Sequence, residues 1–176
     1  VLARLGVTAS MQPMFDAHWG GAGGMYEQRL GVDRAATMNR FADLVAAGVL
    51  VAFGSDAPVT DLGPWAAVRA AVHHSIPAQA LSARAAFSAH TRAGWRAVGM
   101  PTTGVVAPGA PAHLAVWDAG DVTVQVPDAR VAGWSTDPRS GTPGLPTLAP
   151  DVPLPTCRRT VVAGRTVFDS GWLEQA

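Results

Sequence analysis

The sequence predicts an α/β protein over its first hundred residues, followed by a smaller β-rich unit. Up to about residue 100, short apolar runs rich in β-branched residues alternate with longer helical patterns, which is typical of a parallel sheet covered by helices. Beyond that point proline and glycine become frequent and the apolar runs stay short. We therefore predict two domains, residues 1–100 and residues 101–176.

The first domain is predicted to begin with a strand, a loop and a helix. Residues 7–13 are β-branched and apolar and end in proline, which indicates a short strand. Residues 15–31 are glycine-rich with large aromatic side chains and are predicted to form a long ordered loop, a kind of segment that is often functional. In residues 33–47 apolar side chains recur at helical spacing, with Asp33 as the N-cap and Gly48 as the C-terminal stop.

A second strand and two further helices complete this domain. Residues 49–53 are apolar throughout, as expected of a parallel strand covered on both faces. Pro64 stands where a helix-initiating proline belongs, and a helix is predicted over residues 65–73. Ser82 is predicted to open a last helix that ends at Gly99.

The second domain contains three runs with the composition of short strands. A turn at Ala163 and Gly164 divides the last of these runs, which predicts a β-hairpin. Residues 137–155 are proline-rich and are predicted to form a loop. The three runs are HLAVWD (113–118), ARVAGWS (129–135) and RTVVAGRTVFD (159–169).

Composition excludes several classes of function. The 13 basic residues balance the 13 acidic ones, so no nucleic-acid or anionic-membrane partner is expected. There is no lysine, which rules out a Schiff-base lysine or a phosphate-loop lysine within this chain. No apolar run is long enough to span a membrane. The single cysteine, Cys157, allows no internal disulfide and favours a reducing, cytoplasmic setting.

Asp56 is the main candidate for a functional residue. It ends the stretch LVAFGSDAPV, in which a buried strand runs into glycine, serine, aspartate and then a proline that stops the strand. Catalytic residues of parallel α/β folds collect at the carboxyl ends of strands, so Asp56 could face a site. It could instead cap a turn, and the pattern alone favours that second role.

The five histidines offer no metal-binding pattern. None stands at the i, i+4 spacing of a helical ligand pair or the i, i+2 spacing of a strand pair. The adjacent His73 and His74 are predicted to lie at a surface or a helix end. His18 is kept as a weak pocket candidate because it lies in the glycine-rich segment.

Several segments together resemble the C-terminal third of a metal-dependent amidohydrolase of the YtcJ-like branch (amidohydrolase family 3). The strand end GSDAP is the most specific of them, PGAPAHLAVWD resembles that family's PGKxADLVVLD, and VVAGRTVFD resembles its VxGRxVY signature. The resemblance covers nearly the whole chain in order. Its segments are VTASMQP, RLGVDRAATMNRFADLVAAGVLVAFGSDAPV, LSARAAFSAHTRAGW, GVVAPGAPAHLAVWD and TVVAGRTVFD.

This resemblance implies both a fold and a chemistry. Residues 1–100 would hold the last two strand–helix units of a TIM-like (β/α)8 barrel, and residues 101–176 part of a small composite β-sandwich. The implied reaction is hydrolysis of a non-peptide, amide-type carbon–nitrogen bond in a small molecule, assisted by one or two divalent metal ions, commonly zinc.

The resemblance also implies roles for particular residues. Asp56 matches the aspartate of the last barrel strand, which implies that it binds the metal or its water and transfers the proton as the catalytic residue. Gln12, Trp19 and Arg29 are placed by position in loops at the same face of the barrel and are candidates for substrate binding.

The departures from the family pattern are equally informative. The His-x-His of the first strand, the bridging lysine or glutamate and the later histidines have no counterpart in this chain. Phe15 stands where the family often has a histidine, and His113 where it usually has an aspartate. We therefore expect the isolated chain to bind no metal, to be inactive, and to be marginally folded or associating, as a fragment or gene relic of a longer cytoplasmic enzyme.

Two other functions stay open from the sequence. The chain could be a non-catalytic subunit that complements a separate N-terminal polypeptide, or that forms a homo-oligomer. It could also contain an independently folded β-rich binding domain beyond about residue 100. Because the pocket loops of a barrel are spread over all of its strands, the sequence does not define the substrate.

Overall fold

The structure, a computed structural model, describes residues 1–123 and 144–172. It divides into two compact units, Val1–Val98 (unit 1) and Gly99–Ala176 (unit 2). Unit 1 combines a parallel strand pair with helices, and the described part of unit 2 consists of short antiparallel strands. The predicted mixed α/β class is therefore confirmed.

Unit 1 is built on two parallel strands, as the two apolar runs predicted. Strand β1 (Ala9–Met11) pairs with β2 (Val51–Phe53), and Met11 lies opposite Phe53 in the register. Every residue of β2 is buried, which accounts for its unbroken apolar sequence.

Helices cover this strand pair. Helices α6 and α7 pack on β2, and α5 packs between α1 and α6. Two single turns of 3-10 helix lie at Ala3–Leu5 and Pro77–Gln79. The helices are α1 (Pro13–Trp19), α2 (Met25–Leu30), α3 (Val32–Ala35), α4 (Phe41–Ala46), α5 (Pro64–Val72), α6 (Ala83–His90) and α7 (Arg92–Ala97).

Two predicted helix starts are confirmed. Pro64 occupies the first position of α5, where its missing N–H leaves no hydrogen bond unmade. The Ser82 hydroxyl caps α6 by accepting a hydrogen bond from the Ala85 N–H at 3.2 Å.

The predicted stop at Gly48 is also confirmed. Gly48 adopts a φ of +75°, a left-handed conformation that favours glycine. The Gly48 N–H donates to the carbonyl of Val45, and the Val49 N–H donates to the carbonyl of Leu44, both at 3.0 Å. This pair of bonds is the Schellman arrangement, and it returns the chain from α4 toward β2.

The prediction of a long loop over residues 15–31 is wrong. Most of that segment forms α1 and α2, joined by the glycine-rich residues 20–24. Pro13 occupies the first position of α1, where proline signals a helix start. Because Pro13 also ends the strand pattern, the sequence indicated only the end of a strand. Glycine content predicted irregular structure, but the glycines are concentrated at the bend between the two helices.

The two long helices predicted over residues 33–47 and 82–99 are each interrupted. Asn39 adopts a φ of +52° and separates α3 from α4, so that Asp33 lies in the first turn of α3 instead of at its N-cap. Thr91 leaves helical geometry between α6 and α7, and its hydroxyl donates to the Phe87 carbonyl at 2.8 Å.

The described part of unit 2 contains a three-stranded antiparallel sheet and a separate two-stranded pair. The first sheet has the order β3 (Leu114–Asp118), β6 (Thr156–Val162), β7 (Arg165–Asp169). Strand β4 (Val122–Thr123) pairs with β5 (Leu145–Pro146), so the described part of the predicted proline-rich loop includes a short strand. The strand predicted over residues 129–135 lies outside the described residues.

The predicted hairpin between β6 and β7 is confirmed. Ala163 and Gly164 form its turn with φ values of +49° and +79°. Positive φ at both central residues is the type I′ geometry, whose twist matches that of the two strands.

Candidate functional site

The candidate site lies where β1 and β2 end. The two strands are parallel, and beyond them the Gly54 N–H donates to the Met11 carbonyl at 3.0 Å. Gln12 and the segment Gly54–Asp56 therefore leave the sheet at the same edge. In parallel α/β folds the carboxyl edge of the strands is where ligands bind.

Asp56 presents its carboxylate at this edge. Its side chain is exposed and makes no hydrogen bond or ion pair within the described residues. Its φ of +56° is left-handed, a conformation that aspartate tolerates better than most residues.

The turn that carries Asp56 is held by other groups. The Ser55 hydroxyl accepts from the Ala57 N–H at 3.2 Å, and the Ser55 carbonyl accepts from the Thr60 hydroxyl. Asp56 contributes only its backbone carbonyl, which accepts from the Val59 N–H at 2.8 Å. The carboxylate takes no part in shaping the turn, so it is available to a ligand.

The segment after β1 forms a cluster of aromatic rings, which we call the aromatic wall: Phe15, Trp19 and Tyr26. Phe15 and Trp19 are four residues apart on one face of α1, with ring centroids 4.6 Å apart. Tyr26, from α2, meets Trp19 edge to face at 6.2 Å. All three side chains are half-buried, and the neighbouring His18 is exposed.

Asp16 anchors α1 next to the face that carries the aromatic wall. It is 3% exposed, and its two oxygens accept from the Ser75 N–H at 2.7 Å and from the Ser75 hydroxyl at 2.6 Å. Charge-assisted bonds of this kind are roughly twice as strong as neutral ones. They tie the segment after β1 to the segment after α5.

His74 extends this anchor to a third segment. Its Nδ1 accepts from the Ile76 N–H at 2.9 Å, which places the ring proton on Nε2, and Nε2 donates to the Asn39 carbonyl at 2.9 Å. Because Nδ1 carries no proton in this network, its approach of 3.5 Å to an Asp16 oxygen is not an ion pair. We call Asp16, Ser75, His74 and Asn39 the buried clasp, after the buried side chains of Asp16 and His74 at its centre.

Asn39 itself is unusual in two respects. Its left-handed backbone turns its carbonyl toward His74, and its side-chain Nδ2 is buried with no hydrogen-bond partner among the described residues. The side chain lies close to Tyr26. Burial raises the pKa of the Tyr26 phenol above its usual value, Asn39 lowers it, and the negative charge of Asp16 raises it. The phenol is therefore neutral near pH 7.

Close packing explains two of the glycines between α1 and α2. A Cβ on Gly20 would lie 2.4 Å from an Asp16 side-chain oxygen and 2.7 Å from the Ser75 hydroxyl. A Cβ on Gly24 would lie 2.4 Å from the Gly20 carbonyl oxygen. The bend between the helices therefore depends on the absence of side chains, and it is this bend that brings Tyr26 to Trp19.

The structure places the other predicted site residues unevenly. Gln12 directly follows β1 and is half-buried, beside the strand end that leads to Asp56. Trp19 is central to the aromatic wall. Arg29 lies exposed in the last turn of α2. Sequence reasoning missed Asp16 and His74 as parts of the site. Of the two positions expected for His74, a surface or a helix end, the structure shows the second: His74 directly follows His73, the C-cap of α5, and is 5% exposed.

The described residues do not form a complete metal centre. Across residues 1–123 and 144–172, no group of three or more histidine, cysteine, aspartate or glutamate side chains is arranged to hold a metal ion. Asp56 offers one carboxylate, whereas a catalytic zinc site uses three protein ligands. In the same ranges, no helix has the length and apolar character needed to cross a bilayer.

Comparison with known proteins gives the family. A sequence profile described as the amidohydrolase family matches residues 1–168. Among curated proteins none matches the chain. A solved structure, an uncharacterized metal-dependent hydrolase from Pyrococcus furiosus, is similar with a TM-score of 0.49 and 22% sequence identity; the match covers 57% of this chain and 21% of that one. Because the family profile matches almost the whole chain, the chain belongs to the amidohydrolase family.

Proposed function

We propose that this chain carries the C-terminal part of a metal-dependent hydrolase that cleaves amide-type carbon–nitrogen bonds in a small molecule, in the cytoplasm. The observation that carries the proposal is the carboxylate of Asp56. It is exposed, has no partner among the described residues, and stands just beyond the carboxyl end of a buried parallel strand in a member of the amidohydrolase family.

Asp56 supplies proton transfer in the proposed reaction. Its carboxylate accepts a proton from the water molecule whose oxygen attacks the carbonyl carbon, and it returns that proton to the nitrogen as the carbon–nitrogen bond breaks. The products are a carboxylic acid and an amine. An exposed carboxylate on a turn fixed by Ser55 is suited to both transfers, since neither requires the turn to move.

Family membership supports a divalent metal ion, and we propose zinc. When bound, such an ion would supply Lewis-acid polarisation of the carbonyl and activation of water at neutral pH. Since the described residues contribute one carboxylate and no cluster of ligands, we propose that the remaining ligands come from polypeptide outside this chain.

The two-stranded parallel sheet supports the same proposal. Parallel strands occur almost only in larger sheets with helices on both faces. We propose that β1 and β2 are the last two strands of a (β/α)8 barrel, that unit 1 is its C-terminal part, and that unit 2 belongs to a composite β-sandwich.

Gln12, Trp19 and Arg29 are proposed as substrate contacts. Gln12 leaves β1 beside the strand that leads to Asp56, and its amide can both donate and accept hydrogen bonds. Arg29 is exposed on α2 and would suit an anionic group of the substrate.

The test begins with the protein in its native cells. A C-terminal tag at the chromosomal locus allows its mass to be read on an immunoblot and the protein to be isolated with its natural partners. A species much heavier than 18.1 kDa that contains zinc and hydrolyses amides is the expected result. A purified native species that lacks both metal and hydrolytic activity would contradict the proposal.

The role of Asp56 is tested by a matched pair of variants in that native protein. Asp56→Asn should reduce kcat by a factor of at least about 100, the usual contribution of acid–base catalysis. Asp61→Asn, an exposed aspartate on the same loop, should leave kcat unchanged. Equal activity of the two variants would exclude the proposed role.

One observation favours a second candidate, a complementing subunit. Unit 1 exposes large apolar side chains, among them Val1 at 86%, Leu62 at 82% and Leu5 at 65%, on which another polypeptide could pack. An immunoblot band near 18.1 kDa, in a complex with a chain that carries His-x-His, would favour this candidate over a single longer chain.

A further inference from the structure

The aromatic wall is a surface that the proposed chemistry does not itself require. Phe15 and Trp19 stack along one face of α1, and Tyr26 closes the end of the cluster edge to face. None of the three side chains is fully buried, and Met25 beside them is 39% exposed. The cluster therefore keeps part of its apolar ring surface in contact with solvent.

The helix that carries Phe15 and Trp19 is anchored to the segment after α5. Asp16 lies between Phe15 and Trp19 in the sequence of α1 and is buried against Ser75. Gly20 fits against these same two residues with no room for a Cβ. A surface that is fixed before a ligand arrives loses less entropy on binding, so the rings are preorganised for recognition.

Its position connects the wall with Asp56. The chain enters α1 directly from β1, whose last residue Met11 lies opposite Phe53, and Asp56 follows Phe53 by three residues. The wall and the carboxylate thus arise from the same edge of the sheet. A substrate bound at that edge could contact both the wall and Asp56 if a further group were attached to its reacting amide.

The wall is also uncharged. The nearby Glu27 is engaged with the Gly23 N–H at 2.8 Å, and the Tyr26 phenol is neutral. Flat, uncharged ring faces favour flat apolar groups, with the Tyr26 phenol and the Trp19 indole N–H as the polar contacts. An anionic or strongly hydrated group would lose more on leaving water than these rings return.

We infer that the aromatic wall formed by Phe15, Trp19 and Tyr26 binds an aromatic ring carried by the amide-type substrate. This inference rests on the proposed function for the identity of the bond that is cleaved. The ring-binding surface itself is a property of unit 1 and can be measured without catalysis.

The test uses the complete chain and two probes that differ only in the ring. Benzamide and acetamide are titrated separately while the tryptophan indole N–H signals are followed by NMR, with Trp19 assigned from the spectrum of Trp19→Phe. We expect benzamide to shift the Trp19 signal saturably, and acetamide to bind at least about fivefold more weakly. The Trp172 signal, from unit 2, should not respond to either probe.

A pair of variants locates the binding surface. Phe15→Leu keeps apolar volume but removes one ring, and should weaken benzamide binding by about fivefold at the Trp19 signal. Phe168→Leu makes the same change at a 48% exposed position in unit 2 and should have no effect. If Phe15→Leu does not fold, the comparison of the two probes on the unmodified chain still decides the question.

Three results would overturn the inference: no shift at Trp19, equal affinity for the two amides, or an equal response at all tryptophans. Such a failure leaves the hydrolase proposal standing, because the titration involves neither metal nor bond cleavage. Conversely, a native protein without zinc or amide hydrolysis, combined with ring-selective shifts at Trp19, would refute the hydrolase and retain the binding surface.

Discussion

Unit 1 and unit 2 differ in how much apolar surface they bury. In unit 1, Phe41 and Ala71 are 0% exposed, and Val68 is 2% exposed. In the described part of unit 2, Leu148 is the one buried hydrophobic residue, while Val167 and Phe168 on β7 are 61% and 48% exposed. The first unit has a packed core, and the described sheet of the second does not.

Different interactions therefore stabilise each unit internally. Unit 2 relies on its strand ladder, its hairpin turn and two partly exposed ion pairs, Arg158 with Asp118 and Arg159 with Asp169. Exposed ion pairs contribute only about 0–1 kcal/mol each. Unit 1 relies on apolar burial and on the buried clasp. Substitutions of the same type should therefore have much larger effects in unit 1.

The largest expected difference concerns one phenylalanine in each unit. Phe41→Ala removes a fully buried ring that packs on Phe53 and His74, and should lower the free energy of unfolding of unit 1 by about 3–5 kcal/mol. Phe168→Ala, at an exposed position, should cost less than about 1 kcal/mol. Urea unfolding, followed by the signal of Trp65 in unit 1 and of Trp117 in unit 2, measures the free energy of unfolding of each unit. Equal losses would mean that the contrast in burial does not govern stability.

The buried clasp gives the next largest effect. Asp16→Ala leaves the Ser75 N–H and hydroxyl without their acceptor inside the protein, and should destabilise unit 1 by about 2–3 kcal/mol. It should also broaden or shift the Trp19 indole signal, since α1 loses its anchor.

Asp33→Ala is the matched control for the clasp, because Asp33 is exposed on α3. We expect a change within about 0.5 kcal/mol for that variant. A stable Asp16→Ala protein with an unaltered Trp19 signal would show that the clasp does not fix the aromatic wall.

Two glycines in unit 1 should respond with opposite signs to the same substitution. Gly20→Ala places a methyl group against Asp16 and Ser75 and should cost about 1–3 kcal/mol. Gly94→Ala lies within α7 in open space and should stabilise the unit by about 0.5–1 kcal/mol, because alanine favours helix. Thermal unfolding of both variants checks the signs, and two changes in the same direction would refute the steric explanation for Gly20.

Local signals predicted the elements that have local causes. Pro64, Ser82 and Gly48 marked helix ends because each satisfies or omits backbone hydrogen bonds within one turn. The unbroken apolar sequence of β2 predicted a covered parallel strand for a similarly local reason. The turn at Ala163 and Gly164 joins Val162 and Arg165, which are partners in the hairpin register.

The sequence did not predict features that depend on distant partners. Asp16 and Ser75 are 59 residues apart, and no spacing rule connects them. The break at Asn39 is compensated by a hydrogen bond from His74, which lies 35 residues further on. For Asp56 the pattern favoured a turn role, whereas in the structure Ser55 and backbone atoms hold the turn. Its carboxylate makes no hydrogen bond to the described residues because Ser55 and backbone groups hold the turn, and the sequence pattern did not predict those bonds.

The smallest effect we predict is a pH dependence confined to unit 1. His90 ends α6, and burial lowers its pKa below the ordinary value of 6.5. In the unfolded chain the same imidazole binds a proton at the ordinary value. As the pH falls below about 6.5, the unfolded state therefore takes up the proton first, and unit 1 loses stability until the pH passes the lowered pKa.

His90→Gln should remove this contribution, because glutamine does not titrate. Urea midpoints of unit 1, measured between pH 8 and pH 5, should fall less steeply for His90→Gln than for the unmodified chain. His113→Gln, in unit 2, should leave the unit 1 profile unchanged. Identical profiles for His90→Gln and the unmodified chain would mean that burial of His90 is not coupled to folding, and that the acid sensitivity of the α6 region arises from other groups.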